Sequence, residues 1–145
     1  MDTLDRAIVR LLQNGRLTNQ ELAAQVGLTP APCLRRVRRL EAEGVITGYT
    51  AIVDPAALGR GFEVMIHADL AAKDLATVEA FENRLAAMDE VVELRRMFGL
   101  PDYFIRVQVA DAASYEHWLT TQLLGDPAII RVDSRITMKL VKSQR

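Results

Sequence analysis

The chain has 145 residues, half of them hydrophobic, with a formal net charge of -1 at pH 7 and one cysteine. That length suits one ordinary domain or two small ones, and the apolar content is ample for a packed core. A single cysteine excludes an intramolecular disulfide and any multi-cysteine metal cage, as expected of a reducing compartment. No apolar run approaches the ~20 residues that span a bilayer, and Met1-Asp2-Thr3-Leu4-Asp5-Arg6 lacks the basic-then-apolar layout of a signal peptide. A cytoplasmic location is expected. The charge is uneven: residues 1–50 carry seven Lys+Arg against five Asp+Glu, and the remainder eleven against fourteen. The amino-terminal part is therefore the expected partner of a polyanion.

Leu4, Ile8, Leu11 and Leu12 follow an i, i+4, i+7, i+8 pattern and predict a first amphipathic helix ending near Asn14-Gly15. Thr18-Asn19-Gln20-Glu21 is a capping box, so a second helix runs from there to about Val26, with Gly27 closing it. Thr29 is placed to cap a third helix and Pro30 stands where a missing amide does no harm. Leu34, Val37 and Leu40 predict an apolar stripe on it, leaving Arg35, Arg36, Arg38 and Arg39 on the other faces. Arginine's planar fork suits phosphate oxygens and the guanine edge in the major groove. Two helices joined so tightly, the second basic, read as a helix-turn-helix. Cys33 reads as a small buried hydrophobe.

Gly44 ends the third helix, and Val45 to Val53 reads as extended, a wing or a linking strand. Asp54-Pro55 and Gly59-Arg60-Gly61 mark a hinge over 54–61, dividing an N-terminal domain, 1–53, from a C-terminal one, 62–145. Beyond the hinge the hydrophobic period switches repeatedly. Phe62 to Leu70 alternates as a strand, and Leu75, Val78, Phe81, Leu85 and Met88 form a helical stripe. Val92, Leu94 and Phe98 predict a second strand; Tyr103, Ile105, Val107 and Val109 a third. A helix beginning at Asp111 or Ser114 carries Tyr115, Leu119 and Leu123 up to Asp126-Pro127, and a last strand holds Val132, Ile136, Met138 and Leu140. This βαββαβ order is ferredoxin-like, so the fold class is α+β.

Such a plan covers one sheet face with helices. The other face is expected to carry Met65, His67, Val91, Met97, Phe104 and Val141 among Glu63, Arg95, Arg106 and Gln108, and to pack against a second subunit. His67 and His117 stand fifty residues apart without a neighbouring ligand, so no metal site and no cofactor are expected. Trp118 reads as packing, and Asp89-Glu90 as solvated loop charge.

Gly27-Leu28-Thr29-Pro30-Ala31-Pro32-Cys33-Leu34, Arg36-Val37-Arg38-Arg39-Leu40-Glu41, Gly44, Ile46 and Gly48-Tyr49-Thr50-Ala51 resemble the DNA-binding half of the leucine-responsive regulator/AsnC (Lrp/AsnC, feast/famine) family. The likeness continues through Gly99 and Asp102-Tyr103 to the C-terminal βαββαβ. It implies a winged helix-turn-helix joined to an effector-binding, dimerising domain of the RAM type. Such dimers often assemble into octamers and bend double-stranded DNA. The resemblance puts Thr29, Ala31, Pro32, Arg35 and Arg36 at the leading part of a helix in the major groove, with Arg38 and Arg39 following. Arg35 and Arg36 are expected at bases or nearby phosphates and Arg39 at the backbone, while Thr18, as a helix N-cap, offers amides to a phosphate. It also implies an amino-acid effector near the turn between the second and third strands, at Gly99, Leu100, Pro101, Asp102 and Tyr103. Arg135, Ile136 and Thr137 match a last-strand region tied to effector response. Many relatives have a polar or acidic residue directly after the glycine. Leu100-Pro101 stiffens this turn and removes an amide donor.

The implied function is a sequence-specific transcriptional regulator, nucleoid-associated and responsive to a small metabolite through oligomer assembly. Two other readings compete: an architectural protein that compacts DNA, and an enzyme like the siroheme decarboxylases, which resemble this family in fold. The arginine-rich helix has no use in the second.

Overall fold

The computed structural model describes residues 1–142, and its contacts divide into two units, Met1–Ile52 and Val53–Lys142. In the first unit, helix α1 spans Thr3–Asn14, α2 Asn19–Gln25 and α3 Pro30–Ala42. Each start has a local chemical cause. The Asp2 carboxylate accepts the Asp5 N–H at 2.8 Å and the Asp5 carboxylate accepts the Asp2 N–H at 2.9 Å, a reciprocal box that satisfies two orphan donors of α1. Thr18 and Glu21 do the same for α2. Thr29 holds the N-cap position of α3, but its hydroxyl makes no capping bond; Pro30 at the helix start removes one amide instead. Gly27, at φ +70°, supplies the left-handed residue that turns the chain between α2 and α3.

Ile8, Leu22, Ala23, Cys33 and Leu40 form the core of this unit, with Leu11, Leu12, Leu17, Val26, Val37 and Ile46 packed around it. On α3 the inward stripe is Cys33, Val37 and Leu40, while Leu34 is 37 % exposed. The expected Leu34–Val37–Leu40 stripe is corrected here because three-residue steps drift about 60° round an α-helix each time, whereas i, i+4, i+7 stays on one side. The expected strand over Val45–Val53 is not formed. Val45 and Ile46 donate their N–H groups to Leu40 O, closing α3, and residues 47–53 belong to no regular element. Among the described residues no strand lies alongside to pair with them, and an unpaired strand has no ladder.

The second unit begins with a 3₁₀ turn, Pro55–Leu58, followed by strand β1 Phe62–Leu70, helix α4 Leu75–Ala86, β2 Val91–Arg96, β3 Tyr103–Val109, helix α5 Ala112–Trp118 and β4 Ile129–Ile136. The sheet order is β2-β3-β1-β4 with every pairing antiparallel, the ferredoxin-like arrangement. Val64, Ile66 and Ala68 of β1 and Tyr103, Ile105 and Val107 of β3 are buried against Phe81 and Leu85 of α4 and Tyr115, Trp118 and Leu123 of the α5 segment. α5 starts at Asp111, whose carboxylate accepts the Ser114 N–H at 2.7 Å, and continues into one wider turn, Leu119–Leu124. Phe98, Met138 and Leu140, expected in strands, lie outside them.

The open face of the sheet differs from expectation. A bulge between Val91 and Glu93 reverses the alternation of β2, so Val91 pairs with Val107 and joins the core while Glu93 and Arg95 lie on the open face. Met97 and Val141 lie beyond the strands. What remains apolar is Met65 and Phe104, with the His67 ring edge-on to Phe104 at 4.4 Å. Charged pairs surround them: Arg106 with Glu63 at 3.5 Å and with Glu93 at 3.3 Å, Arg95 with Glu93, and Arg135 with Asp133 at 3.0 Å.

Candidate nucleic-acid interface and effector turn

The four arginines of α3 are not equivalent. At 3.6 residues per turn, Ala31, Arg35 and Arg38 project on the side opposite Cys33, Val37 and Leu40, and all three are exposed. Neither Arg35 nor Arg38 makes a side-chain hydrogen bond or ion pair among the described residues. Arg36 instead turns toward α1, where one guanidinium nitrogen lies 2.6 Å from Asp2 Oδ2 and 2.8 Å from Asp5 Oδ1. Arg39 reaches the other Asp5 oxygen at 2.6 Å and Glu43 at 3.7 Å. Asp5 is 1 % exposed, so its two oxygens serve α1's own cap and two arginines at once. The hydrogen bond with the Asp2 backbone N–H, then the arginine partners, hold its carboxyl down to about 2 against the opposing effect of burial. The acid pair at Asp2 and Asp5 thus links α1 to the arginines of α3, a contact that periodicity and composition do not show. Its signal was a second capping box, three residues apart, at the start of α1.

Thr18 is at the N-terminus of α2 as expected, but its amide is not open. The Thr18 N–H donates to Glu21 Oε2 at 2.8 Å and its hydroxyl donates to the same oxygen at 2.7 Å. Thr29 and Ala31 are exposed and Pro32 is half-buried at the leading end of α3. Asn19 Nδ2 donates to Pro30 O at 2.8 Å and so ties the start of α2 to that end.

In the second unit, Gly99 takes φ +95° at the tip of the β2–β3 connection, Leu100 is exposed and the Leu100–Pro101 peptide is cis. Asp102 anchors the turn. Its Oδ2 accepts the Leu70 N–H at 2.9 Å, its Oδ1 lies 2.6 Å from Lys73 Nζ, and its own N–H donates to Asp69 Oδ1 at 3.0 Å. The Lys73 hydrogen bond first, then the Leu70 N–H, keep the Asp102 carboxyl below its ordinary range despite partial burial. Tyr103 points the other way, into the core, and donates its hydroxyl to Glu82 at 2.7 Å; burial and the Glu82 carboxylate push that phenol up to about 12.

Arg135, Ile136 and Thr137 do not meet this turn within one chain. Tyr103 pairs beside Ala68 whereas Arg135 and Ile136 pair beside Met65 and Val64, three to four residues back along β1, about 10–13 Å at strand rise. Thr137 is farther still, its hydroxyl 3.4 Å from Glu63 Oε1. A cleft of about 630 Å³ lies elsewhere, between Arg60, Glu90, Gln108, His117, Trp118 and Gln122. The described residues contain no cluster of three metal-ligating side chains, and no described helix is long and apolar enough to cross a membrane.

Comparison with known proteins agrees with this geometry. Residues 1–47 match the winged helix-turn-helix DNA-binding family model and residues 63–145 the Lrp/AsnC ligand binding domain model. The chain is 36 % identical over 143 residues to the leucine-responsive regulatory proteins of Haemophilus influenzae, covering 98 % of this chain and 86 % of that protein, and of Escherichia coli K12, covering 98 % and 87 %. An AsnC family transcriptional regulator from Agrobacterium tumefaciens superposes with a TM-score of 0.91 at 34 % identity, covering 99 % of this chain and 94 % of that one. A transcriptional regulator from Neisseria meningitidis, solved as its L-Met complex, superposes at 0.93 with 30 % identity and the same coverage. With two such domains in this order and relatives of this similarity along nearly its whole length, the chain belongs to the Lrp/AsnC family of transcriptional regulators.

Proposed function

We propose that this regulator reads specific double-stranded DNA through the exposed face of α3 and that an amino acid or a closely related metabolite tunes its occupancy. The observation that carries the reading is the outward triad Ala31, Arg35 and Arg38, set opposite the core stripe of the same helix. Two guanidiniums on one helix face, without a partner among the described residues, supply phosphate affinity and a bidentate fork for a guanine edge. Thr29 and Pro32 flank them at the helix start. Arg36 and Arg39 act from the second rank, holding α3 on α1, and Thr18 acts as the cap of α2.

The effector site is formed around Gly99, Leu100, Pro101 and Asp102, with Tyr103 bracing the turn from the core side. Arg135, Ile136 and Thr137 lie too far away to join it in one chain, which supports a site completed by a second copy. The neisserial relative, solved with L-Met, supports an amino acid as the ligand class. Residues 1–53 serve as the DNA-binding domain, 54–61 as a hinge and 62–145 as the effector-binding and dimerising domain. Dimers place two α3 helices on successive major grooves, ~34 Å apart, and assemble further, to octamers, on the nucleoid in the cytoplasm. No catalytic role is assigned to any residue.

The test is fluorescence-anisotropy titration against the protein's own upstream DNA and a scrambled duplex at ~150 mM salt, with and without L-methionine and a pool of amino acids. A preference for the upstream DNA of ~10³ or more, altered by an amino acid, is expected. Equal affinity for both duplexes would replace this reading with the architectural one.

A further inference from the structure

The geometry points to Asp5 as the residue that decides how many arginines of α3 the DNA meets: by holding Arg36 and Arg39, it leaves Arg35 and Arg38 as the reading pair. This rests on the DNA-reading role proposed above and adds to it a positioning residue on a different helix.

Three observations carry it. Asp5 sits on α1, yet both of its oxygens are within 2.8 Å of guanidinium nitrogens from successive turns of α3. The carboxylate is buried, so these charge-assisted bonds are little screened by salt, unlike a surface pair that a phosphate readily displaces. Arg36 is drawn in to 26 % side-chain exposure, while Arg39, 47 % exposed, is held by its guanidinium contact with Asp5 rather than by burial. Asp2 adds a second acceptor for Arg36. The group of Asp2, Asp5, Arg36 and Arg39 is electrically balanced, two acids against two bases, so the positive charge of α3 that faces outward is that of Arg35 and Arg38.

A neutral patch beside a charged pair favours selectivity. Each phosphate neutralised adds salt-dependent affinity without sequence information, so four free arginines would raise binding to every duplex alike. Two free arginines keep that background low and leave base contacts a larger share of the total. Removing the Asp5 charge should therefore make the protein bind scrambled DNA more tightly and discriminate less, the reverse of what simple loss of a structural contact does.

The experiment measures log Kobs against log[salt] for the full chain on the upstream and scrambled duplexes, for the wild type and for Asp5→Asn, Arg38→Ala and Arg39→Gln. Asparagine can still accept the Asp2 N–H, so the α1 cap is kept. Because Arg36 keeps Asp2 as a partner, Asp5→Asn is expected to release chiefly Arg39, to steepen the slope by about 0.9 for each α3 in contact, one added phosphate, and to lower the ratio of upstream to scrambled affinity. Arg38→Ala should make the slope shallower by the same amount, and Arg39→Gln by clearly less. The proposal is overturned if Asp5→Asn leaves slope and ratio unchanged, or if Arg39→Gln costs as much slope as Arg38→Ala. Should Asp5→Asn fail to fold, the two arginine variants decide alone. Slopes on the scrambled duplex report the partition of arginines even where the wild type shows no preference for its upstream DNA, so failure of the regulator reading is separately visible.

Discussion

The exposed face of α3 and the open face of the sheet both carry charged side chains and use them in opposite ways. On the sheet, the acids and bases pair across strands, where Glu63 and Glu93 share Arg106 and Asp69 holds Arg131 at 2.7 Å, and along β4, where Asp133 holds Arg135. On α3, the pairing is deliberate but partial, because α1 offers acceptors to Arg36 and Arg39 while Arg35 and Arg38 point away from it. Paired charge secures register and neutralises a surface; charge left unpaired is what attracts a polyanion. The comparison teaches that counting arginines overstates a DNA-binding surface unless their partners are counted too.

The comparison breaks most completely at the core that supports α3. Leu40 is fully buried there, and Leu40→Ala should cost about 2–5 kcal/mol, read as a lower thermal midpoint and loss of DNA binding. An unchanged midpoint would mean that the α3 face is not held by this core.

Acid sharpens the contrast next. The folded-state pKa of Asp5 is depressed to about 2 from the ordinary 3.8, so its stabilising contribution is complete above about pH 4 and is lost as pH falls from there toward 2. Wild-type stability should therefore drop across that window, and Asp5→Asn should show a flatter pH dependence in circular-dichroism melts. Parallel curves for the two proteins would remove Asp5 from the account. The smallest effect is expected on the sheet. Glu63→Gln weakens only partly exposed pairs, so stability should change by less than about 1 kcal/mol and the salt dependence of DNA binding should not change at all. A shifted slope would mean that the sheet's charges also reach DNA.

Helix and strand positions were largely legible in the sequence because their signals are local. The capping box at Thr18 and Glu21, Pro30 at the start of α3, and the alternation of Phe62 to Leu70 each encode an element within a few residues. Three features were not legible. The bulge that turns Val91 inward depends on the partner strand β3, and the outward turn of Leu34, beside a Cys33 that was read as buried, shows only once the stripe is fixed as Cys33, Val37 and Leu40. The wing or linking strand over 45–53 looked extended by composition, but a strand needs a neighbour that this segment lacks among the described residues.

The candidate sites divide along the same line. By itself, the sequence determined that a basic helix follows a tight turn and that a glycine turn precedes Asp102, because residue type and spacing dictate caps, turns and periodicity. Only the tertiary structure decided that Asp5 takes two of the four arginines, that Asp102 spends its carboxylate on Leu70 and Lys73, and that Tyr103 braces the core. Asp5 and Arg36 are 31 residues apart and Asp102 and Leu70 are 32 apart. An ion pair between distant positions leaves no periodic trace along the chain; it exists only where packing has already brought the two helices, or the two strand ends, within hydrogen-bond reach.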